Sequence, residues 1–546
     1  RRTRNRERLN FPRPPQGTGT LRSGGSAGGR GPSSSAGCVA ADMSVASVKA
    51  TRVSGVLAAG GAELARCAGA TLLHDGTTPV RGAAVDSRRI AGHRGALFVA
   101  LPGSATDGRL HLLDAIEQGA GALLLEEGGD GAVQEHLQLA LSLAAERGVS
   151  VLSAPSGVAA LSQLASAWRA RFDLETIGVT GSVGKTTTKD VGKTTTKEAI
   201  YSALGGQAAR VAATPGNANN EIGLPLALLN LPDGTERFVA EMGMYVGGEI
   251  SALCAMARPR IGVVTAIDAV HAERAGGLDA IELAKGELIA SLPADGWAIL
   301  AADDARVMRL GARGPARVLT AGHAEGADVH ILSVELDQET ARTRVELRVD
   351  EERLQVDLPL FGAQFARSAA LAIAVAKVCG LDVRTAASRL SEVQLPSGRA
   401  SVRNIGGVRL IDDAYNAAPS SMTAALATLS SATGARFAAL GAMGELGEYA
   451  AAAHDAIGRA AAESGLTMLL VFGTEADGIA AGARAAGMPV DQIVRLSADE
   501  QGIIAGAGLI ADRARTGDTV LVKASRSVAL ERLVAALDER LIGGNA

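Results

Sequence analysis

The chain has 546 residues, room for three domains of ordinary size, and its 47% apolar and 21% charged residues exclude a largely disordered protein. Residues 1–52 hold 10 Lys and Arg against 2 acidic side chains, while the rest carries 44 basic and 56 acidic residues, a net of −12 that argues against a nucleic-acid surface. Aromatic residues at 3% set aside base stacking as a main mode of recognition, and no apolar run reaches the roughly 18 residues of a membrane span.

In chain order, residues 1–52 form a basic leader with Gly, Ser and Pro throughout, expected to be disordered. Two readings of it stay open: an organellar transit peptide, or translated sequence upstream of a start at Met43. Cys38, Cys67, Cys254 and Cys379 make no C-x-x-C pair, so core packing in a reducing, cytoplasmic compartment is expected. The next segment, 53–155, alternates strand and helix. Its strands are expected over Ala96 to Leu101 and Ala122 to Glu126, with a helix over Leu110 to Gln118 between them. Ahead of these, Asp86-Ser87-Arg88 beside the loop Pro102 to Gly108 offers a hydroxyl and a guanidinium to a diphosphate, although a structural ion pair is the plainer reading.

The apolar run Thr176 to Val179 enters Thr180-Gly181-Ser182-Val183-Gly184-Lys185-Thr186-Thr187. A strand running into glycines, a lysine and a threonine reads as a phosphate cradle: backbone N–H groups surround polyphosphate, the ammonium neutralises it, and the Thr186 hydroxyl can ligate Mg²⁺. Five residues before Gly184 stands Val179, so the loop fits the shorter T-G-x-x-G-K-T-T and not the general G-x-x-x-x-G-K-[ST]. The motif is duplicated, with Val183 to Asp190 (VGKTTTKD) followed at once by Val191 to Glu198 (VGKTTTKE). Because Gly181 and the strand stand in front of the first copy, Gly184, Lys185 and Thr186 are expected to be the working set. Gly192 and Lys193 are then displaced into a helix or bulge, ahead of a helix over Glu198 to Leu204. Eight extra residues rotate the faces of a helix by roughly 80°, which puts the packing of this one in question.

Between 174 and 395, further strands end in polar residues: Phe238 to Ala240 at Glu241, Ile261 to Val264 at Thr265 with His271 beyond, and Ala298 to Leu300 before Asp303-Asp304. Such convergence is what a doubly wound sheet with its site at the strand carboxyl ends requires. Glu241 and His271 offer a carboxylate oxygen and an imidazole nitrogen to a divalent cation, although a lone His is more often structural. Lys285 lies on a helix over Ala280 to Ser291; if desolvated, it would become a neutral, reactive amine. Asp303-Asp304 suits a helix cap as well as a ribose. After Pro396 a third alternation begins, with strands over Val408 to Ile411, Phe437 to Leu440, Met468 to Phe472 and Thr519 to Val522, a mostly parallel sheet in a domain spanning 396–546. Arg399 and Lys523 are candidate phosphate or carboxylate partners brought in by domain closure.

Taken together, Thr180 to Thr187, Thr214 to Pro225 (TPGNANNEIGLP), Glu241-Met242-Gly243, Gly248-Glu249-Ile250, Ala257-Arg258-Pro259, His271, Ala284 to Leu288 (AKGEL) and Asp412 to Met422 (DDAYNAAPSSM) resemble the Mur ligases from Val53 to the C-terminus. The run Y-N-A-x-P-x-S-M fits the member that acts on D-alanyl-D-alanine and UDP-N-acetylmuramoyl-tripeptide, and the D-N-P-R of the member that adds diaminopimelate is absent. The resemblance implies three α/β domains: a UDP-binding domain, a central ATPase-like domain and a C-terminal Rossmann-like domain. It implies an ATP-dependent amide ligation through an acyl phosphate, in peptidoglycan precursor synthesis, by a monomer. Within the site, it implies that Lys185 binds the β- and γ-phosphates, that Thr186 and Glu241 hold one Mg²⁺, and that His271 with a carbamylated Lys285 holds a second. ATP contacts extend over Gly181, Ser182, Val183, Gly184 and Thr187 to Asp303, Arg399 and Asp413. Substrate contacts fall on Ser87, Arg88, Asn217, Asn220, Tyr415, Asn416 and Lys523.

Departures from the family pattern are several. Thr265-Ala266-Ile267-Asp268-Ala269-Val270-His271 stands for T-N-I-G-P-x-H, Ala301-Ala302 for Asn-Ala before the aspartates, and Gln364-Phe365 for His-Asn; Ala414, Ala418, Ala442 and Ala524 replace Ser, Asn, Asp and Gly. Each hydrogen bond lost is worth about 0.5–1.5 kcal/mol. Two other readings therefore stay open: another amide ligase of Mur or folylpolyglutamate type, or a homologue that binds nucleotide without turnover.

Overall fold

The computed structural model describes residues 57–92, 94–103, 106–182, 192–268, 276–396 and 398–543. The leader, Val183, Gly184, Lys185, Thr186 and Thr187 of the first motif copy, and His271 lie outside the described residues. Three α/β sheets succeed one another along the chain. In the first, β1 (Thr71–His74), β2 (Ala83–Ala84), β3 (Leu97–Ala100), β4 (Ala122–Glu126) and β5 (Ser150–Ala154) lie in the order β1-β5-β4-β3-β2, parallel except for β1. The expected helix over 110–118 is a 3-10 turn, Gly108–His111, running into a helix at Leu112–Glu117.

The central sheet has nine strands: β6 (Glu175–Thr180), β7 (Val211–Ala213), β8 (Arg237–Glu241), β9 (Ile261–Val264), β10 (Trp297–Ala301), β11 (Arg317–Gly322), β12 (Val329–Asp337), β13 (Arg342–Val349) and β14 (Glu352–Leu358). Their order is β14-β13-β12-β11-β10-β9-β6-β8-β7, parallel from β7 to β12 and antiparallel beyond. The antiparallel extension is absent from the expectations above, although its strands alternate apolar and polar residues (Arg342–Val349 reads RTRVELRV) in the manner of a sheet with one wet face. The chain moves from β6 outward to β7, back to β8, and then crosses to β9 on the other side of β6. The carboxyl end of β6 is thus a topological switch point, where open α/β sheets bind ligands. Pairing sets the strand tips level, Val179 opposite Glu241 and Thr180 opposite Val264.

Helix α1 (Lys193–Ala203) follows β6 and starts five residues earlier than expected, inside the second motif copy. Starting there, it buries Thr196, Ala199, Ile200 and Ala203, spaced as one helical face, against α3 (Phe365–Val378), with Thr196 Oγ1 3.1 Å from Ser368 Oγ. The packing question raised by the duplication is answered by this register. Helix α2 (Leu278–Ala290) crosses the other face, where Gly178 and Gly262 are paired neighbours on β6 and β9. A Cβ on Gly178 would lie 2.8 Å from Leu288 Cδ1, and one on Gly262 would lie 3.0 Å from Leu292 Cδ1. The two glycines form a notch that seats the helix carrying Lys285.

The third sheet orders β15 (Ser401–Ile405), β16 (Val408–Asp413), β17 (Arg436–Gly441), β18 (Met468–Phe472), β19 (Ile493–Leu496) and β20 (Thr519–Lys523) as β15-β16-β20-β17-β18-β19, parallel except for β15. Asp413 and Lys523 end neighbouring strands as register partners. Helix α4 (Pro419–Ser430) follows β16. Among the described residues no helix is long and apolar enough to cross a membrane.

Gly178→Val is expected to lift Leu288 out of the notch and to cost about 1–3 kcal/mol by overpacking. Urea unfolding followed by circular dichroism measures this as a lower midpoint.

Candidate active site

At the tip of β6, Gly181 takes φ 153°, and a Cβ there would lie 2.0 Å from Thr265 Oγ1, so only glycine lets the two strand tips close. Ser182 N–H donates to Ala266 O at 2.7 Å, which completes the closure. Gly192 then sits at the N-cap of α1, and Lys193, its first residue, reaches back so that its ammonium donates to Gly181 O at 3.0 Å. Gly192 and Lys193, expected in a helix or bulge, thus stand at the start of a helix, and that start lies against the end of β6. Gly181 is therefore a neighbour in space of Lys193 in the second copy.

Across from it, the Glu241 carboxylate at the tip of β8 is 2% exposed, and both of its oxygens are engaged. Oε2 accepts from Thr194 Oγ1 at 2.8 Å and Oε1 from Asn219 Nδ2 at 2.8 Å; the backbone N–H of Glu241 donates to Thr214 Oγ1 at 3.0 Å. A buried carboxylate needs such partners, since an unpaired one would shed its charge. Thr194 and Asn219 do not figure among the site residues read from sequence, although both stand inside the quoted motif runs.

Lys285 is 3% exposed, and burial, with the nearby Lys193 charge second, pushes its amine well below the ordinary lysine value. Lys193 is also lowered, first by desolvation, with Glu241 opposing and Arg399 adding to the shift. One cavity is lined by Gly181, Lys193, Lys285, Arg399, Asp413 and Lys523, among others, and so joins the central sheet to the third. A second, of about 580 Å³, opens from Lys193 toward Asn217, Asn219, Asn220 and Tyr245. Asn217 also borders a cavity shared with Arg399 and Tyr415.

On the third sheet, the Lys523 ammonium is 1% exposed; it pairs with Asp413 and donates to Asn416 O at 2.9 Å. The Arg399 guanidinium stacks 4.2 Å from the centre of the Tyr415 ring. Asn220 Oδ1 accepts from Gly223 N at 2.9 Å and so caps a turn while facing the second cavity. Asp303 Oδ1 accepts the N–H groups of His323 and Ala324, and Oδ2 lies 3.4 Å from buried Arg367. Asp304 caps the helix at Ala305–Arg309. In the first sheet's segment, Ser87 opens a 3-10 turn, and Arg88 makes a two-pronged bond to Asp86 at 2.9 Å on each arm, the ion pair given above as the plainer reading. Among the described residues no group of three His, Cys, Asp or Glu gathers to hold a metal.

Two family models match the chain: the Mur ligase middle domain over residues 190–376 and the Mur ligase glutamate ligase domain over residues 398–526. The first match begins at residue 190, so it contains the second copy of the motif and leaves out all but the last residue of the first. The chain is 35% identical over 482 residues to the UDP-N-acetylmuramoyl-tripeptide--D-alanyl-D-alanine ligase of Mycobacterium tuberculosis, covering 83% of this chain and 91% of that protein. It is 29% identical to the Escherichia coli enzyme of the same name over 83% of this chain and 93% of that one. Among solved structures it resembles MurF from Acinetobacter baumannii, with a TM-score of 0.75 at 25% identity over 89% of this chain and 100% of that one. It also resembles MurF from Thermotoga maritima in complex with ADP, with a TM-score of 0.69 at 28% identity over 85% and 98%.

The lowered pKa of Lys285 has a stability consequence of definite sign. Between its folded value and the ordinary lysine value of 10.5, the unfolded chain holds a proton that the native chain lacks, so this group's contribution to stability rises with pH up to about 10.5. Lys285→Met, freed of the penalty, is expected to be more stable than wild type near pH 7, with the gap closing near pH 10. Paired denaturant titrations at the two pH values measure it.

Proposed function

Because the chain belongs to the Mur ligase family, we propose that it joins D-alanyl-D-alanine to UDP-N-acetylmuramoyl-tripeptide, converting ATP to ADP and phosphate, as a cytoplasmic step in building peptidoglycan precursor. The observation that carries this reading is the meeting of Lys193 and Thr194 with Glu241 across the tips of two parallel strands, in a cleft that Arg399, Asp413 and Lys523 of the third sheet also line.

A carboxylate is a poor electrophile until one oxygen becomes a leaving group. A carboxylate oxygen at the tripeptide's end attacks the γ-phosphorus, the bond to ADP breaks, and an acyl phosphate results. The dipeptide amine then attacks the carbonyl carbon, phosphate leaves with the C–O electron pair, and the amine gives up its proton. Two anions meet in the first step, so the protein's part is positioning and charge compensation. Lys193 is placed for the outer phosphates, and Arg399 and Lys523 bring further positive charge from the third sheet. ATP use accords with the ADP complex of the Thermotoga maritima relative.

The donor set at Thr194 and Glu241, a hydroxyl 2.8 Å from a buried carboxylate, consists of the hard oxygens that Mg²⁺ prefers. These two residues would hold the cation, which supplies further neutralisation of phosphate charge. A neutral Lys285 amine can add CO₂, forming an N–C bond and releasing a proton, and the resulting carbamate with His271 is the proposed second cation site. Asn217, Asn220, Tyr415 and Asn416 are assigned to the peptide substrates from the cavities and loops they occupy, and Ser87 and Arg88 to the UDP end.

Phosphate release is expected only when ATP, the UDP-muramoyl-tripeptide and D-alanyl-D-alanine are all present. Turnover with glutamate in place of the dipeptide would point to a folylpolyglutamate-type ligase, and nucleotide binding without any turnover to an inactive homologue. Lys193→Ala is expected to lower the rate by 100-fold or more, about 3 kcal/mol of transition-state stabilisation. Lys185→Ala is expected to leave most activity in place. Deleting residues 183–190 rebuilds an uninterrupted Thr180-Gly181-Ser182-Val191-Gly192-Lys193-Thr194 and should preserve turnover; a Lys185→Ala variant that loses activity while Lys193→Ala keeps it would return the role to the first copy.

A further inference from the structure

Lys197 has no exposed surface, and its ammonium meets three acceptors: Thr214 O at 2.7 Å, Gly216 O at 3.2 Å and Glu198 Oε1 at 2.9 Å. Two of its donors are thereby given to backbone carbonyls, and the Glu198 carboxylate offsets its charge. Burying an ammonium is costly, and an apolar side chain of similar volume is often as stable in its place, so stability alone is a poor account of this lysine. The segment it grips supplies a better one. Thr214 Oγ1 accepts the backbone N–H of Glu241, Asn219 Nδ2 donates to Glu241 Oε1, and Asn219 O accepts from Gly243 N at 2.7 Å. Residues 214–219 thus wrap Glu241, and Gly216, at φ 54°, turns the segment where its carbonyl meets the lysine. On α1, Thr194 and Lys197 are three residues apart and share a face. One grips Glu241 Oε2 directly; the other fixes the segment that grips Oε1.

We infer that Lys197 is a positioning residue that holds the Glu241 carboxylate oriented for a divalent cation, acting through the Thr214 to Asn219 segment. The inference deepens the ligase reading and rests on it for the identity of the nucleotide. Partners that orient a metal-binding carboxylate typically affect metal affinity by 10–100-fold when removed.

Calorimetric titration of the full chain with ADP, with and without Mg²⁺, separates this role from turnover. Lys197→Met is expected to bind ADP as wild type does without Mg²⁺, to lose about tenfold or more of the Mg²⁺-dependent gain in affinity, and to melt close to wild type. Lys189→Met, the equivalent change in the first copy, should keep the gain. Asn219→Ala breaks the same chain of contacts without touching α1 and should show the same loss, which keeps the test open if Lys197→Met does not fold. An undiminished Mg²⁺-dependent gain in Lys197→Met, or in Asn219→Ala should the former not fold, overturns the inference, as does a wild type whose ADP affinity is indifferent to Mg²⁺. Failure of the ligase reading shows separately, as wild-type phosphate release that is indifferent to the dipeptide.

Discussion

The structure of the site depends on the Glu241 carboxylate, held at the tip of β8 by Thr194 on one oxygen and Asn219 on the other. A carboxylate at 2% exposure is tolerable only when its lone pairs are met, so the helix after β6 and the loop after β7 must both arrive at this point. Their arrival needs level strand tips, and the parallel register of β6, β8 and β9 provides them. Close approach needs the missing side chain at Gly181, since any Cβ there would collide with Thr265. Packing below the sheet follows the same demand, because the paired Gly178 and Gly262 admit the leucines that anchor α2 under the tips.

Positive charge is distributed around that carboxylate unevenly. Lys193 has Glu241 to favour its charged form, whereas among the described residues Lys285 has burial and a neighbouring lysine acting on it, both against the charge. The two amines of one cleft thus sit in different fields, one with a carboxylate facing it and the other without. Lys523 is a third case, buried but neutralised by Asp413, its partner across β16 and β20. Its charge stays with the third sheet, so any cation it contributes to a bound anion is shared with that aspartate.

Much of the scaffold was legible because buried parallel strands are continuous apolar runs that stop at a polar residue, and Glu241, Thr265, Asp413 and Lys523 mark such stops. The duplicated motif was not legible by matching, because both copies contain the same G-K-T-T-T-K. What separates them lies downstream: only the second copy is followed at helical spacing by Ala199, Ile200 and Ala203, which are buried in the core, and its Lys197 reaches Thr214 and Gly216. Asp303, which its place after a strand left between a helix cap and a ribose contact, accepts the N–H groups of the 323–324 turn and lies beside the buried Arg367, partners far away in sequence. The antiparallel β12 to β14 are less legible for a different reason, since their alternating exposed and buried residues form no continuous apolar run ending at a polar tip.

The alanines that depart from the family pattern carry a structural lesson of their own. Ala414, Ala418, Ala442 and Ala524 are 0–6% exposed, so these changes fall inside the third sheet's packing. Gly441 shows how little room there is, since a Cβ on it would come within 2.7 Å of the Ala524 Cβ. At Ala418 the change removes the side-chain oxygen that would cap α4, a loss worth about 0.5–2 kcal/mol. Part of that loss is offset locally. Ser421 Oγ accepts the N–H of Ala418 and donates to its carbonyl, both at 2.9 Å, and Pro419 at the first helical position has no N–H to satisfy. The loop that leads into this repaired cap presents Tyr415 under Arg399 and offers Asn416 O to Lys523, so the start of α4 and the third sheet's lining of the cleft share one short stretch of chain.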